Sequence, residues 1–239
     1  MSILNNKNCF ISGATGGLGV EISKSLVKNG CNLLLSSKSE SKLKNLKKEL
    51  LKINSNSNID YVICDFSDLN NIELMAENVT NSDFNIDILI NCAGVFPQGS
   101  IDSYSVDKIT QTFNINILSN FILTKYFSKN MKKQQWGRIV NIGSSSSYNG
   151  FKDSSLYCST KHALSGLSKS LDDELSNYSI RVFDIMPGSI KTEMSIHDTN
   201  QNIETFIEPE ILANFISDII KFDNNFKLSD IKIYRSKYE

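Results

Sequence analysis

A tyrosine and a lysine lie four positions apart in the stretch YCSTK, which runs from Tyr157 to Lys161. If this stretch is helical, both side chains lie on one face of the helix, with Cβ atoms roughly 5–6 Å apart. A phenol with a pKa of about 10 is a poor proton donor or acceptor at neutral pH, whereas a nearby ammonium favours the phenolate and lowers that pKa. The pair is either a tuned acid or two ordinary residues on a helix, and the spacing alone does not decide between them.

A glycine-rich stretch, GATGGLG, follows the apolar run CFIS and precedes a helical pattern near the start of the chain. Gly13, Gly17 and Gly19 allow the backbone to turn tightly and to approach a pyrophosphate, whose charge suits the amino-terminal end of a helix. The spacing is GxxxGxG and not the GxGxxG of the standard dinucleotide fingerprint. A purely structural turn is the alternative, but the position at the first strand–helix junction favours nucleotide binding.

Short apolar runs alternate with longer segments of helical periodicity along the chain. The runs predict strands at 9–12, 31–36, 60–64, 86–91, 138–143, 181–186 and 230–235, and the longer segments predict helices at 17–29, 39–53, 68–80, 103–132, 156–177 and 208–222. The alternation predicts a single-domain α/β fold over residues 1–239, a Rossmann-type doubly wound parallel sheet of about seven strands with helices on both faces. Ligands bind such a sheet beyond the carboxyl ends of its strands, so the informative residues should follow each run.

Polar residues follow two further strands in this way. Asp65, in ICDFSD, comes after the third predicted strand, where its carboxylate could accept a hydrogen bond from an adenine amino group. Asp68 in the same stretch is a candidate cap for the next helix, and the two roles can coexist. Asn91 opens the segment NCAG after the fourth strand, where small residues allow close packing against a bound nucleotide.

Composition argues against several other classes of function. The 239 residues carry a net charge of −1, so no bulk charge points to nucleic acid or to a membrane surface. The five cysteines form no CxxC motif and the chain has two histidines, which argues against a metal site. The amino terminus lacks the pattern of a secretory signal, and no apolar run approaches the roughly 18 residues that a membrane helix needs. We therefore expect a reduced, cytoplasmic protein.

Seven features occur in one order across positions 12–192: SGATGGLG, Asp65, NCAG, Asn116, Ser144, YCSTK and PGSIKT. Together they resemble the classical short-chain dehydrogenases/reductases over almost the whole chain, and the combination is far more specific than any part. The resemblance implies an oxidoreductase that interconverts a carbonyl and a secondary alcohol by hydride transfer with a nicotinamide cofactor. Cys92 replaces the second asparagine of the family's NNAG segment, a departure that concerns a hydrogen bond of the sheet and not catalysis.

The resemblance also implies roles for individual residues. Tyr157 transfers the proton, Lys161 lowers the phenol pKa and binds the cofactor ribose, and Ser144 hydrogen-bonds the carbonyl oxygen. The backbone carbonyl of Asn116 holds a water that links the lysine to solvent, and Asn114 is its nearby rival. The residues implied to contact the cofactor are Gly13, Thr15, Gly17, Leu18, Gly19, Asp65, Asn91, Tyr157, Lys161, Ile190 and Thr192.

The end of the second predicted strand, LLLSSKSE, indicates NADP(H) rather than NAD(H). Members of the family that select NAD place an acid there, where it accepts hydrogen bonds from the ribose hydroxyls, but this chain has Ser37 at that position and Lys38 after it. A 2′-phosphate carries a charge of roughly −1.5 to −2, which an acid would repel and which Ser36, Ser37 and Lys38 can bind. The alternatives are NAD(H) as the cofactor and Lys38 as a solvated residue that opens the next helix.

The remaining expectations concern the substrate and assembly. Residues 189–208 are expected to form a flap over a small carbonyl or alcohol substrate, and a 3-oxoacyl thioester on acyl-carrier protein is one option. A non-catalytic cofactor-binding protein would be expected to lack the serine, tyrosine or lysine, and epimerases or dehydratases usually have GxxGxxG and a longer carboxyl-terminal region. The resemblance implies a homodimer or homotetramer, because in the family the helices equivalent to the long helices 103–132 and 156–177 pair across a two-fold axis. Their apolar residues are Phe113, Ile117, Phe121, Leu164, Leu167 and Leu171.

Overall fold

The strands of the chain form a single parallel sheet. A computed structural model describes residues 3–195, 201–223 and 226–236, and within them seven strands pair in the order β3-β2-β1-β4-β5-β6-β7. The strands are β1 (Asn8–Ser12), β2 (Asn32–Ser37), β3 (Ile59–Ile63), β4 (Ile88–Asn91), β5 (Gly137–Ile142), β6 (Ile180–Pro187) and β7 (Asp230–Ile233). Every pairing is parallel. The order changes direction between β1 and β4, which is where a doubly wound sheet binds its ligand.

Helices cover both faces of the sheet and confirm the predicted fold class. They are α1 (Gly17–Lys28), α2 (Glu40–Ile53), α3 (Leu69–Thr80), α4 (Val106–Phe113), α5 (Ser119–Gln134), α6 (Ser155–Leu175) and α7 (Pro209–Ile219). One buried cluster joins the sheet to α1, α2 and α7, and a second joins the opposite face to α3 and α5. None of the helices in the described residues is long and apolar enough to cross a membrane.

Burial on two faces explains why the strands read as unbroken apolar runs. In β1, Cys9 and Ile11 belong to the first cluster, whereas Phe10 between them belongs to the second. The ring of Phe10 lies 4.9 Å from that of Phe127 on α5, centroid to centroid. A strand with a core on each side needs apolar residues at every position, as parallel sheets commonly show.

The prediction of one helix over 103–132 is wrong in its detail. Helix α4 begins only at Val106, where the Ser105 side chain accepts a hydrogen bond from the Lys108 amide at 3.1 Å. Residues Asn114–Leu118 then form a π-helical turn before α5 begins at Ser119. A π turn accommodates one extra residue inside a helix and occurs frequently at functional sites. The spacing of apolar residues over a segment of about 30 residues does not reveal the insertion of a single residue, so the sequence predicts one continuous helix.

The last predicted strand is also shorter than expected, because β7 ends at Ile233 and not at residue 235. The strand lies at the edge of the sheet and its residues are only partly buried. The carbonyl of Ile233, its last residue, accepts a hydrogen bond from the Gly188 amide at 2.8 Å. The following residues, Tyr234 and Arg235, therefore leave the sheet beside the carboxyl end of β6.

Candidate active site

The sequence-predicted residues gather at the carboxyl edge of the sheet. A cavity of about 760 Å³ opens there, and it is lined by the serine turn after β5, by Tyr157 and by the segment after β6 that includes Ile190 and Thr192. This volume is within the range of about 300–1,000 Å³ that is usual for sites of small ligands. Part of the predicted flap at 189–208 lines the cavity as well, whereas residues 196–200, with His197, lie outside the described residues.

The glycine turn after β1 is constrained by what surrounds it. Gly13 has a φ of +65°, and a Cβ at this position would lie 2.7 Å from the Ala93 Cα. A Cβ on Gly19 would collide with the Gly13 carbonyl oxygen, and one on Gly17 would lie 2.9 Å from the Thr192 Cγ2. Only glycines allow this approach, and the turn therefore brings Thr192 to the start of α1.

The amino-terminal end of α1 is suited to an anion. The helix begins at Gly17, its N-cap Gly16 makes no side-chain cap, and no acidic residue lies in its first turn. The Leu18 side chain is buried in the core, so only its backbone can serve a ligand, and Thr15 is half-buried beside it. Uncapped amide groups at a helix start, together with the helix dipole, favour a phosphate group.

The sequence predicts that three residues at the end of β2 bind a 2′-phosphate, and these residues differ in their exposure. Lys38 is exposed. Ser37 is 7% exposed, and its hydroxyl accepts a hydrogen bond from the Ser39 amide at 3.3 Å. Ser36 is fully buried, and its hydroxyl has no hydrogen-bond partner within the described residues. That Ser36 binds a 2′-phosphate stays a prediction, which the burial of its side chain does not favour.

Asp68 takes the capping role that the sequence left open, whereas the adenine contact of Asp65 stays a prediction. Asp68 caps α3, accepting hydrogen bonds from the Asn70 and Asn71 amides at 3.0 and 3.1 Å. Asp65 is exposed and accepts bonds from the amide and the hydroxyl of Ser67 at 2.9 and 2.7 Å. These bonds and the charge of the nearby Lys38 lower the pKa of the Asp65 carboxyl, so this side chain is a fixed, ionised acceptor at the edge of the site.

The Asn91 side chain makes its hydrogen bond within the sheet and not at the open carboxyl edge. Its Nδ2 donates to the Asn141 Oδ1 at 2.7 Å, and Asn141 in turn donates to Ser168 on α6 at 2.8 Å. The Asn91 Oδ1 is buried without a partner among the described residues. Beyond it, the Ser12 hydroxyl accepts hydrogen bonds from the Cys92 and Ala93 amides, each at 3.1 Å. The backbone after β4 is therefore held firmly although cysteine replaces asparagine at 92.

Asn116 lies in the π turn and is fully buried. Its side chain bonds both backbone groups of Val95, accepting from the amide at 2.8 Å and donating to the carbonyl at 2.9 Å, and it also donates to the Thr160 hydroxyl at 3.0 Å. Its own carbonyl accepts from the Asn120 side chain at 3.1 Å. The rival Asn114 instead donates to the Ser67 carbonyl at 2.8 Å. The geometry places Asn116, and not Asn114, between the end of β4 and α6.

Ser144 and Tyr157 face each other across the cavity wall. Ser144 caps the short turn Ser145–Ser147, and its Oγ accepts a hydrogen bond from the Ser146 amide at 3.1 Å. The Ser144 side chain also lies close enough to the phenol of Tyr157 to lower the pKa of that phenol. The Tyr157 ring packs edge-on against Phe96, with centroids 4.6 Å apart. Both hydroxyls line the same cavity.

Lys161 lies behind this pair. Its ammonium is 5.5 Å from the centroid of the Tyr157 ring and donates a hydrogen bond to the Ile142 carbonyl at 2.7 Å. The side chain is 5% exposed, although it is a lysine. A Cβ on Gly94 would lie 4.0 Å from the ammonium, so the segment after β4 approaches it closely. Helix α6 thus presents Tyr157 and Lys161 on one face, as the spacing predicts.

The pKa values differ from the expectation that the lysine lowers the phenol pKa. Burial raises the pKa of Tyr157 to about 12, and the Ser144 side chain opposes this only in part. Burial lowers the pKa of Lys161 to about 8, which the charges of Cys92 and Asp184 partly oppose. The ammonium bonds a backbone carbonyl and lies beside the ring, so desolvation dominates both groups. In this arrangement Tyr157 is a protonated donor, with a serine hydroxyl and a buried cation beside it.

Asp184 is a buried acid of the site that sequence reasoning missed. It lies on β6, is 1% exposed, and neither carboxylate oxygen has a hydrogen-bond partner within the described residues. A Cβ on Gly143 would lie 2.8 Å from its Oδ1, which places the carboxyl directly below the serine turn. Burial raises its pKa, and the charge of Lys161 opposes this. The sequence feature that could have identified Asp184 is its position as an acidic residue inside the apolar run RVFDIM.

Asp184→Asn is expected to stabilise the protein at pH 8. Because the folded-state pKa is raised, the native protein binds more protons than the unfolded chain between the ordinary value of about 3.9 and the raised value. The contribution of Asp184 to stability is full below the ordinary value and is lost as the pH rises through the folded-state value. Urea unfolding at acid pH and at pH 8 measures this, with the exposed Asp218→Asn as control. A parent more stable than the variant at pH 8 would contradict the prediction.

No group of three His, Cys, Asp or Glu side chains that could hold a metal ion occurs within residues 3–195, 201–223 and 226–236. The arrangement instead offers a phenol, a hydroxyl and an ammonium around one position at the cavity wall. Such a set can donate a proton and hydrogen bonds to an oxygen that develops negative charge.

Comparison with protein families gives a match over most of the chain. A family model described as short chain dehydrogenase matches residues 7–203. A 3-oxoacyl-acyl-carrier-protein reductase from Rickettsia conorii is 31% identical over 212 residues, which are 89% of this chain and 84% of the relative. A dehydrogenase/reductase SDR family protein 7-like from Anopheles gambiae is 31% identical over 197 residues, 81% of this chain and 62% of the relative.

Solved structures share the same fold at lower identity. L-sorbose reductase from Gluconobacter frateurii, complexed with NADPH and L-sorbose, superposes with a TM-score of 0.88 at 22% identity and covers 97% of this chain and 96% of its own. An alcohol dehydrogenase from Thermococcus sibiricus, complexed with 5-hydroxy-NADP, gives a TM-score of 0.87 at 22% identity, with 98% of each chain covered.

Proposed function

The chain belongs to the short-chain dehydrogenase family, and on that premise we propose that it is an NADP(H)-dependent oxidoreductase that interconverts a carbonyl and a secondary alcohol. The observation that carries the proposal is the meeting of Ser144, Tyr157 and Thr192 in the lining of one cavity, with the buried Lys161 ammonium 5.5 Å behind the Tyr157 ring. A protein that only binds a nucleotide would not need a buried ammonium behind a phenol that faces a cavity.

The residues of the site divide the work of the reaction between them. When bound, the nicotinamide supplies or accepts the hydride. Tyr157 donates its proton to the oxygen that becomes an alkoxide, since a phenol with a raised pKa is protonated over the whole physiological range. Ser144 donates a hydrogen bond to the same oxygen and orients it. The ammonium of Lys161 stabilises the phenolate that remains after the transfer.

The residues around the glycine turn fit the proposed cofactor. The turn of Gly13, Gly17 and Gly19 and the uncapped start of α1 would hold the pyrophosphate. Thr192 and the backbone of Ile190 would contact the nicotinamide end, and Lys161 the adjoining ribose. Asp65 would accept from the adenine amino group, and Asn91, Thr15 and Leu18 would serve through the backbone.

A panel of carbonyl compounds tests the proposed activity. NADPH absorbance is followed with 3-oxoacyl thioesters, keto-sugars, aldehydes and cyclic ketones, and we expect at least one class to be reduced. The relative from Rickettsia conorii makes the 3-oxoacyl thioester the second candidate. Tight NADPH binding without turnover on any carbonyl, and without oxidation of the matching alcohols, would favour the non-catalytic alternative.

Lys38→Ala is expected to lower the preference for NADPH over NADH, measured as the ratio of the two kcat/KM values, by about five- to tenfold. Lys38 is exposed at the end of β2, and no acid occupies the position of Ser37 beside it, so a 2′-phosphate meets a cation there. A charge-assisted contact in partial contact with solvent has an effect of about this size. The preference should also shrink as ionic strength rises. Lys48→Ala, which changes an exposed lysine of α2, is the control, and an unchanged ratio in Lys38→Ala contradicts the assignment.

We also infer a homodimer or homotetramer formed through the helices around the π turn. Phe121 on α5 is 55% exposed and Leu118 before it is 39% exposed. Of the other apolar residues that the sequence singled out, Ile117 and Leu164 belong to the core, whereas Phe113, Leu167 and Leu171 are half-buried. Light scattering at micromolar concentration should give a multiple of the 26.8 kDa chain, and Phe121→Glu should shift the mass towards a monomer. Leu74→Glu, at an exposed position of α3, is the control; a monomeric parent would contradict the inference.

The cysteines support a proposed cellular compartment. All five are free thiols, and burial raises the pKa of Cys9, Cys31, Cys64 and Cys92. We therefore keep the cytoplasm as the proposed location, because unpaired buried thiols are usual in a reducing compartment. A small molecule is the proposed partner, and the net charge of −1 argues against nucleic acid.

A further inference from the structure

Two opposite charges lie close to the peptide between Ile142 and Gly143. The Lys161 ammonium, on α6, donates a hydrogen bond to the Ile142 carbonyl at 2.7 Å. Asp184, on β6, approaches the next residue, because a Cβ on Gly143 would lie 2.8 Å from its Oδ1. Standard bond lengths within one peptide unit therefore place the ammonium nitrogen and this carboxyl oxygen no more than about 10 Å apart. At that separation inside a protein, each charge affects the protonation of the other.

Both side chains are buried, and the carboxyl makes no local bonds that would account for its presence. Lys161 is 5% exposed and Asp184 is 1% exposed. Neither carboxyl oxygen of Asp184 has a hydrogen-bond partner among the described residues. A buried polar group without a partner costs folding free energy, and buried acids next to a reactive cleft are candidates for a functional role. Because no hydrogen-bond donor holds it, this carboxyl acts on its surroundings through its charge.

The other titratable groups around the pair do not replace this acid. The Cys92 thiol, in the segment after β4, also acts on Lys161, but burial raises its pKa to about 12 and keeps it uncharged at neutral pH. Two further charges act on Asp184, those of Asp230 on β7 and Lys169 on α6, and these two pair with each other at 3.2 Å. Among the residues that the structure describes, Asp184 is therefore the acid whose charge acts on Lys161.

The proposed reaction needs Lys161 in its charged form. When Tyr157 gives up its proton, the phenolate that remains is stabilised by an ammonium and not by a neutral amine. Burial lowers the pKa of Lys161 to about 8, so this side chain loses its charge close to the pH at which the reaction runs. An ionised carboxyl nearby favours the ammonium and opposes that loss. The pKa of Tyr157 is raised to about 12, so the phenol itself carries no charge in this range.

From this arrangement we propose that Asp184 is a positioning residue for the reaction: its carboxylate is the buried counter-charge that keeps Lys161 an ammonium, across the peptide between Ile142 and Gly143. It touches neither substrate nor cofactor and acts only through the lysine. The proposal rests on the proposed function, because the charge of Lys161 matters to turnover only if that ammonium serves the reaction. The alternative is a purely structural role, in which the Asp184 side chain fills space below the serine turn.

The pH dependence of turnover separates the two roles. Asp184→Asn removes the charge and keeps the volume, and with saturating NADPH the basic limb of the kcat/KM profile should move down by about one pH unit. Asp184→Ala should move the limb equally, although it also removes volume. A structural role would instead lower the rate by the same factor at every pH, more in Asp184→Ala, and leave the limb in place, which overturns the proposal. Asp218→Asn, at an exposed position of α7, controls for net charge.

The charge of Lys161 can also be measured without turnover, which separates this proposal from the proposed function. In protein labelled with ¹³C at the lysine Cε, the Lys161 signal is the one that Lys161→Ala lacks, and its chemical shift follows the charge of the amine. We expect its titration midpoint to be about one pH unit lower in Asp184→Asn than in the parent, and unchanged in Asp218→Asn. An unchanged midpoint in Asp184→Asn overturns the proposal, whatever the activity. A lowered midpoint in a protein that reduces no carbonyl supports the counter-charge and counts against the proposed function alone.

Discussion

Tyr157→Phe is expected to lower kcat for carbonyl reduction by about 10²–10⁴-fold, the usual contribution of a general acid, while NADPH affinity stays largely unchanged. Phenylalanine keeps the ring, and with it the edge-on contact to Phe96 at 4.6 Å, but it has no proton to give. The neighbouring Ser144 hydroxyl cannot replace the phenol as acid, because an aliphatic hydroxyl is a much weaker acid than a phenol. The variant should therefore bind the cofactor and fail at the chemical step.

The measurement combines single-turnover reduction with NADPH titration followed by fluorescence. Tyr178→Phe is the matched control, because it removes a phenol hydroxyl from a tyrosine just past the carboxyl end of α6, outside the cavity lining. If Tyr157→Phe turned over at a rate close to that of the parent, Tyr157 would not be the acid and the assignment of the site would be wrong.

Lys161→Ala is expected to damage two properties at once: a fall in kcat on the order of 10²-fold or more, and weaker NADPH binding. One ammonium serves both, since it lies 5.5 Å from the Tyr157 ring centroid and bonds the Ile142 carbonyl at 2.7 Å beside the serine turn. This double effect distinguishes it from Tyr157→Phe, for which only the chemical step changes. Lys169→Ala, on the same helix and paired with Asp230 at 3.2 Å, is the control.

The same variant should also change the pH dependence of stability. The pKa of Lys161 is lowered to about 8 from a model-compound value of 10.5, so between these values the unfolded chain binds more protons than the native protein. The stability of the parent therefore gains from this group as the pH rises from about 8 to about 10.5, and Lys161→Ala should lack that gain. Normal NADPH affinity in the variant would contradict the ribose contact, even if turnover were lost.

The fold and the innermost residues of the candidate site could be predicted from the sequence for physical reasons. Strands buried on both faces must be apolar throughout, so the apolar run around Phe10 predicts a buried strand without structural data. Gly13 and Gly19 stand where a Cβ would meet the backbone, and such positions leave a glycine pattern that no other residue can satisfy. Tyr157 and Lys161 were readable because a helix converts a spacing of four into one face.

Other features depend on three-dimensional surroundings that a linear pattern does not hold. The π turn at Asn114–Leu118 inserts one residue inside a continuous helical pattern, and within it Asn116 bonds Val95, which is distant in the sequence. Ser36 and Ser37 look equally available in sequence, but Ser36 is sealed in the core. The pKa of Tyr157 depends on how deeply the phenol is buried, and burial opposes the effect expected from Lys161. Asp184 becomes part of the site only through the contact of β6 with the serine turn.

Direct transfer of hydride is the central claim, and isotope transfer from NADPH tests it most directly. NADPH that carries deuterium at both C4 positions of the nicotinamide is incubated in ordinary water with the protein and a carbonyl that it reduces. The account predicts one deuterium on the carbinol carbon of the alcohol and a solvent proton on its oxygen. An alcohol whose carbinol hydrogen came from water, or consumption of NADPH without any alcohol, would contradict it.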